Sequence, residues 1–190
     1  MPASHAERFV GATGPLLDTL RTLARRSGGD PDDEALERAV ARRLAMTRDL
    51  LAADYETLCV LDELRDRGLA LGLVTDSSIE TPTVWPDGPL VARFAATAFS
   101  CLEGVRKPRP EIYLACTGRL GVEPRDCLYV GDGDSHELSG AAALGMTPLR
   151  FTGFIGPGGA HYDGDADFTG PAIARLRDLL DLVDGRGAGA

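Results

Sequence analysis

The sequence predicts an α/β fold in which a parallel sheet carries helices on both faces and a helical segment precedes it. Three observations predict it. Residues Cys127 to Gly145, CLYVGDGDSHELSGAAALG, join a short apolar run without alternation to a glycine-broken acidic turn and a helix of small residues. That is the pattern of a parallel strand buried on both faces, feeding a loop and then a helix. From Tyr55 onward short apolar runs alternate with helical periodicities, whereas before Tyr55 the periodicity is helical only; such alternation argues for a parallel sheet.

The first helix is read from Leu16, Leu17, Leu20 and Leu23, which share one helical face, and Gly28 and Gly29 end it. Asp30 is the expected N-cap of the next helix, with Pro31 at its first position, Asp32, Asp33 and Glu34 in its first turn and an apolar stripe through Leu36, Val40, Leu44 and Leu51 to about Ala53. A third helix covers Tyr55 to Arg67, with Leu58, Leu61 and Leu64 inward and Gly68 as its stop. Leu69 to Val74 is the first strand. Pro82, Pro86 and Pro89 make Glu80 to Arg93 an irregular excursion, in which Trp85 is either a packing residue or the lining of a substrate entrance. A strand near Ala96 to Ser100, a helix from Pro110 to Leu120, the strand at Cys127, a helix from His136 to Leu144 with Ser135 as N-cap, and a strand from Thr147 to Phe151 follow. Ala172 to Val183 is read as a terminal helix.

The 190 residues suffice for one domain with a small helical attachment, and 44 % hydrophobic with 26 % charged residues is an ordinary globular composition. A formal net charge of -9 opposes nucleic acid and anionic membrane surfaces as partners. No run is long enough to span a membrane and Met1 to Val10 lacks the features of a signal peptide, so the expected location is the cytoplasm. Cys59, Cys101, Cys116 and Cys127 show no zinc or redox spacing and are read as free thiols.

Asp132, Asp134 and Glu137 place hard oxygen donors beside glycine amides at a strand's C-terminal end, where open α/β sheets bind ligands. Two readings stand: a magnesium site, or acids that only cap the following helix. Thr75, Asp76, Ser77 and Ser78 form a hydroxyl-rich turn that either offers a hydroxyl and amides to a phosphate oxygen or is a plain strand-to-helix turn. Lys107 is the sole lysine in an arginine-rich chain, which marks a place for a compact ammonium unless it is a remnant of codon bias. The alternation Asp163, Asp165, Asp167 superficially suggests calcium but lacks the bidentate acid such loops need.

A hydroxyl, a cation and paired acids at three strand ends, in this order, describe a pocket for phosphate and magnesium. The set resembles the haloacid dehalogenase (HAD) superfamily of hydrolases, in particular phosphatase-like members with a small helical cap. LGLVTDSS resembles the family's second motif, GVRKPRPEIY its third and YVGDGDSHELSGAAALGM its fourth. The resemblance implies a HAD-like Rossmannoid core over residues 55–184, an incomplete helical cap over 1–54 and a disordered tail at 185–190. It implies Thr75 and Asp76 at the phosphate, Lys107 for charge neutralisation, Asp132 and Glu137 for Mg2+, and a small phosphorylated metabolite as substrate.

One part of the family pattern has no match. Members begin with a strand ending in an aspartate nucleophile; the nearest look-alike here, Leu17-Asp18-Thr19-Leu20, has Pro15 where that aspartate belongs. The absent strand would be the central one, between the strands at Leu69 and Cys127. Each buried backbone group left unpaired costs on the order of 1 to 3 kcal/mol, against a typical net stability of roughly 5 to 15 kcal/mol. The expectation is therefore a truncated phosphatase whose true start lies upstream, inactive alone. The alternative is a non-catalytic descendant that binds phosphate and magnesium or serves as a scaffold. Dehalogenation is a third reading, disfavoured by the acids, since that chemistry needs no metal.

Overall fold

The computed structural model describes residues 9–11, 14–153 and 164–185, and the statements below concern these. Eight helices and five strands follow in the order α1 (Leu16–Arg26), α2 (Asp33–Leu50), α3 (Tyr55–Asp66), β1 (Gly72–Thr75), α4 (Glu80–Val84), β2 (Ala96–Phe99), α5 (Ser100–Glu103), α6 (Pro110–Leu120), β3 (Leu128–Gly131), α7 (Glu137–Ala143), β4 (Thr147–Phe151), β5 (Ala172–Ile173) and α8 (Asp178–Val183).

Local chemistry accounts for most boundaries. The cap of α2 is Asp32, not Asp30: its carboxylate accepts the Ala35 N–H at 2.7 Å, leaving Pro31 outside the helix. Asp54 does the same for α3, accepting from Thr57 N at 2.6 Å. Within the excursion expected to be irregular, Glu80–Val84 closes one short helix before the chain turns through Trp85–Asp87. Trp85 is a packing residue, stacked edge-on against Phe99 at 5.6 Å between centroids. The expected terminal helix divides: Ala172 and Ile173 join the sheet beside β4, and the helix begins only at Asp178. Of the tail expected at 185–190, only Gly185 lies among the described residues, and Asp163 lies outside them.

All pairings between the five strands are parallel, as the α/β reading required. β1 pairs with β2 in the register Gly72↔Ala96 to Thr75↔Phe99; β3 pairs with β4 from Leu128↔Thr147 to Gly131↔Arg150. Two apolar clusters sandwich the strands. Ile112, Tyr113 and Cys116 of α6 and Ala141 of α7 pack with Val74 and Tyr129 on one face. Val60 and Leu64 of α3 and Leu179 of α8 pack with Leu71 and Val130 on the other. Helices on both faces are what a parallel sheet needs, because its strands have no polar face to show to water.

The strands nevertheless form two sheets, β1-β2 and β3-β4-β5. β3, expected to be buried on both faces, is half-buried at best, with Leu128 43 % exposed, and β1 is likewise half-buried at best. Each is bonded along one edge only, so the other edge leaves its backbone without a ladder partner.

The helical pair α1 and α2 packs on itself, and α2 rests on α4. Arg43 of α2 donates from Nε to Glu80 Oε1 at 2.6 Å, tying the pair to the segment after β1. No helix among the described residues is long and apolar enough to cross a membrane.

Candidate active site at the strand ends

The turn after β1 and the head of α7 both meet the loop that carries Lys107. Beyond Thr75, the half-buried last residue of β1, Asp76 Oδ1 accepts the Lys107 backbone N–H at 3.0 Å, while Asp76 Oδ2 is buried without a partner. The turn is pinned to the end of β2: Ser77 N donates to Ser100 Oγ at 2.9 Å, and Ser77 and Ser100 are both buried.

Lys107 Nζ meets Glu137 Oε2 at 2.5 Å, with the two side chains 12 % and 5 % exposed. This pair is the centre of the site. Tyr129 of β3 donates its hydroxyl to the same Glu137 oxygen at 2.9 Å, and Gly133 N donates to Oε1 at 3.1 Å. Tyr113 of α6 donates to the Glu137 main-chain carbonyl at 3.0 Å. Burial, and then the Glu137 charge, push the Tyr129 phenol well above its ordinary value; burial followed by the carboxylates of Glu137, Asp76 and Asp165 does the same to Tyr113. Both phenols therefore remain neutral donors across the physiological range.

The remaining acids face the loop backbone. Asp132 Oδ1 accepts the Asp134 N–H at 2.9 Å, and Asp134 Oδ1 accepts the Ser135 N–H at 2.7 Å. The expected cap of α7 is corrected here. Neither Ser135 nor His136 caps it, both being in left-handed conformations, and the amides of Leu138 and Ser139 go instead to the carboxylate of Asp165.

The structure thus gathers Asp76, Lys107 and Glu137 into one hydrogen-bonded set, with Thr75 at the head of the turn and Asp132 on the adjoining loop. Sequence reasoning assigned no site role to Tyr113 or Tyr129 and offered Asp165 only as part of a calcium-like alternation. A tyrosine within an apolar run is indistinguishable from core, and a cap 27 positions away leaves no local signal.

No three His, Cys, Asp or Glu side chains among the described residues form a ready metal cage. Asp132 and Glu137 fit magnesium in kind, since that ion takes one or two carboxylates and completes its shell with water and phosphate oxygens. Both Glu137 oxygens, however, already accept hydrogen bonds, Oε2 from Lys107 and Tyr129 and Oε1 from Gly133.

Comparison with known proteins bears on the family and the fold. A family model described as haloacid dehalogenase-like hydrolase matches residues 5–145. The chain is 30 % identical over 166 residues to a glyceraldehyde 3-phosphate phosphatase of Methanopyrus kandleri, covering 85 % of this chain and 69 % of that protein. It is 30 % identical over 119 residues to hexitol phosphatase B of Escherichia coli, covering 60 % of this chain and spanning about half of that relative, 52 %. The fold superposes on a HAD phosphatase from Thermococcus onnurineus with TM-score 0.60 at 24 % identity, over 93 % of this chain and 89 % of that one. A HAD family enzyme of Bacteroides thetaiotaomicron solved with magnesium and inorganic phosphate gives TM-score 0.59 at 17 % identity, over 76 % and 72 %. The two superpositions speak to the fold alone.

Proposed function

Because the chain belongs to the haloacid dehalogenase-like hydrolases, we propose that its strand-end site is that of a magnesium-dependent phosphatase for a small phosphorylated metabolite. The observation that carries the reading is Lys107, whose ammonium and backbone N–H reach Glu137 and Asp76, joining the head of α7 to the turn after β1. The phosphatases named among the relatives support the substrate class.

In this reading the Thr75 hydroxyl and the amides of the turn at Asp76 donate to phosphate oxygens, orienting the group. The Lys107 ammonium neutralises charge that builds on the phosphoryl oxygens, an effect strengthened by its low exposure. Glu137, fixed by Tyr129 and Gly133, holds Lys107 in place and with Asp132 would hold the metal. Magnesium, when bound, supplies further charge neutralisation at the phosphoryl group. The resemblance implies attack by an aspartate carboxylate on phosphorus, departure of the alcohol, and hydrolysis of the aspartyl-phosphate by water. We assign that nucleophile to no described residue.

A second reading, a non-catalytic phosphate-binding protein, is favoured by the closed hydrogen-bonding of Glu137. Thermal unfolding with inorganic phosphate and MgCl2 tests the pocket. Stabilisation of about 2.7 kcal/mol at a ligand concentration 100-fold above Kd is expected, and Lys107→Ala should remove it. No shift in the wild-type chain, or one that Lys107→Ala leaves intact, counts against the site. Turnover of a generic phosphate monoester, abolished by Asp132→Asn, would reject the binding-only reading and show that no further nucleophile is required.

A further inference from the structure

The loop that delivers Glu137 is held in a costly shape. Ser135 and His136 are consecutive non-glycine residues at φ 55° and 54°, conformations that cost on the order of 1–3 kcal/mol each and persist only when the surroundings over-determine them. The loop's own side-chain bonds, from the Asp134 and Ser135 amides to Asp132 and Asp134, stop short of the amides of Leu138 and Ser139, and no side chain of the loop caps α7.

The constraint comes from Asp165, which is 9 % exposed. Its carboxylate accepts Leu138 N at 2.7 Å and Ser139 N at 3.2 Å, fastening the far end of the loop. Its own N–H donates to Gly133 O at 2.8 Å, fastening the near end, and Asp134 forms an antiparallel bridge with the neighbouring Gly164. Arg150 of β4 donates to the Asp165 carbonyl, and its guanidinium lies 5.3 Å from the centroid of the Phe168 ring. One residue therefore grips both sides of a strained turn.

Between the two grips sit the atoms that set the Glu137 carboxylate. Gly133 N donates to Glu137 Oε1, and Glu137 is the first residue of α7. We propose that Asp165 is a positioning residue for the phosphate site: it holds the turn from Gly133 to Leu138 so that Glu137 meets both Lys107 and the Gly133 amide. The proposal rests on the phosphatase reading for its purpose, while its geometry is testable without any ligand.

The experiment compares Asp165→Ala and Asp165→Asn by amide hydrogen exchange and by the magnesium-plus-phosphate thermal shift. Leu138 and Ser139 lose their acceptor in Asp165→Ala whatever its role, so they report only capping. The deciding amide is Gly133, whose partner is Glu137. Its exchange should rise about fivefold in Asp165→Ala, the equivalent of one lost cap, and return toward wild type in Asp165→Asn, which keeps an acceptor oxygen. The ligand-induced shift should fall and recover in the same order. If Asp165→Ala does not fold, Asp165→Ser, whose hydroxyl is too short to span both amides, takes its place.

Unchanged Gly133 exchange in the truncated variant would reduce Asp165 to a plain helix cap and overturn the proposal. So would a full ligand-induced shift in that variant. A wild-type chain that shows no shift defeats the phosphatase reading, yet the Gly133 exchange still decides whether Asp165 positions Glu137.

Discussion

Glu80 is 3 % exposed, and its balance is set by neighbours. Burial pushes its carboxyl up, but the Ser78 hydroxyl, its own backbone N–H and Arg43 outweigh that and leave it below the usual value of 4.5. A lowered pKa in the folded state gives stability that is present above about pH 4.5 and lost as pH falls through the folded value. Arg43→Ala removes the cation from a nearly buried acid. Because the Arg43 side chain is itself 41 % exposed, the loss at pH 7 should be about 3 kcal/mol, the low end for a broken buried pair. The stability gap to wild type should narrow below pH 4.5, where the stranded acid takes a proton. Equal gaps at pH 7 and pH 4 by urea titration would show that Arg43 acts through packing alone. Cys116 offers a second residue-level check. Burial, the largest influence, pushes its thiol up to about 11, so alkylation of the native protein at pH 8 should label half-buried Cys59 and leave Cys116 untouched. Rapid labelling of Cys116 would mean that α6 opens readily.

At the scale of elements, α7 approaches α6 through a residue without a side chain. A Cβ on Gly140 would lie 2.7 Å from Tyr113 Oη and 2.8 Å from Pro108 Cβ. Tyr113 is the phenol that bonds the Glu137 carbonyl, so the helix contact and the site share an atom. Two effects compete in Gly140→Ala. Helix propensity favours alanine by roughly 1 kcal/mol, and overpacking opposes it by typically 1–3 kcal/mol. Net destabilisation of about 1 kcal/mol is expected in chemical denaturation, together with a weaker phosphate-induced shift; a stabilised variant would show that α7 moves away freely. The sequence marked α7 as a helix of small residues, expected to pack on the sheet. It could not say that Tyr113 and Pro108 were the surfaces met, because those contacts join segments about 30 residues apart.

The whole molecule is shaped by two half-open strands. Val74 of β1 and Tyr129 of β3 share one apolar cluster, yet among the described residues each strand is bonded on one side only. Successive residues of a strand point their N–H and C=O groups to alternate edges. Amide exchange should therefore alternate along Gly72–Thr75 and Leu128–Gly131, with unpaired amides at least tenfold faster than paired ones. Uniform protection along both strands would mean that the unpaired edges are covered in solution. The α1-α2 pair reaches the α/β part through α4 and the Arg43–Glu80 bridge, which makes that contact sensitive to the acid titration described above.

Sequence alone determined the class of fold, the helix of small residues after β3, and the residue types at each strand end, because these depend on short-range periodicity and on which residues tolerate which turns. Lys107, Asp132 and Glu137 stood out for the same reason, as charged residues at predicted strand ends, and the structure brings Lys107 and Glu137 together. Only the tertiary structure decided that Lys107 lies 2.5 Å from Glu137, that two tyrosines hold that acid, and that Asp165 caps α7 across 27 positions. It also decided that Ala172 and Ile173 extend the sheet and that β1 and β3 remain unpaired with each other. Such pairings are settled by which distant segments compete for the same backbone groups, a contest that no local pattern records.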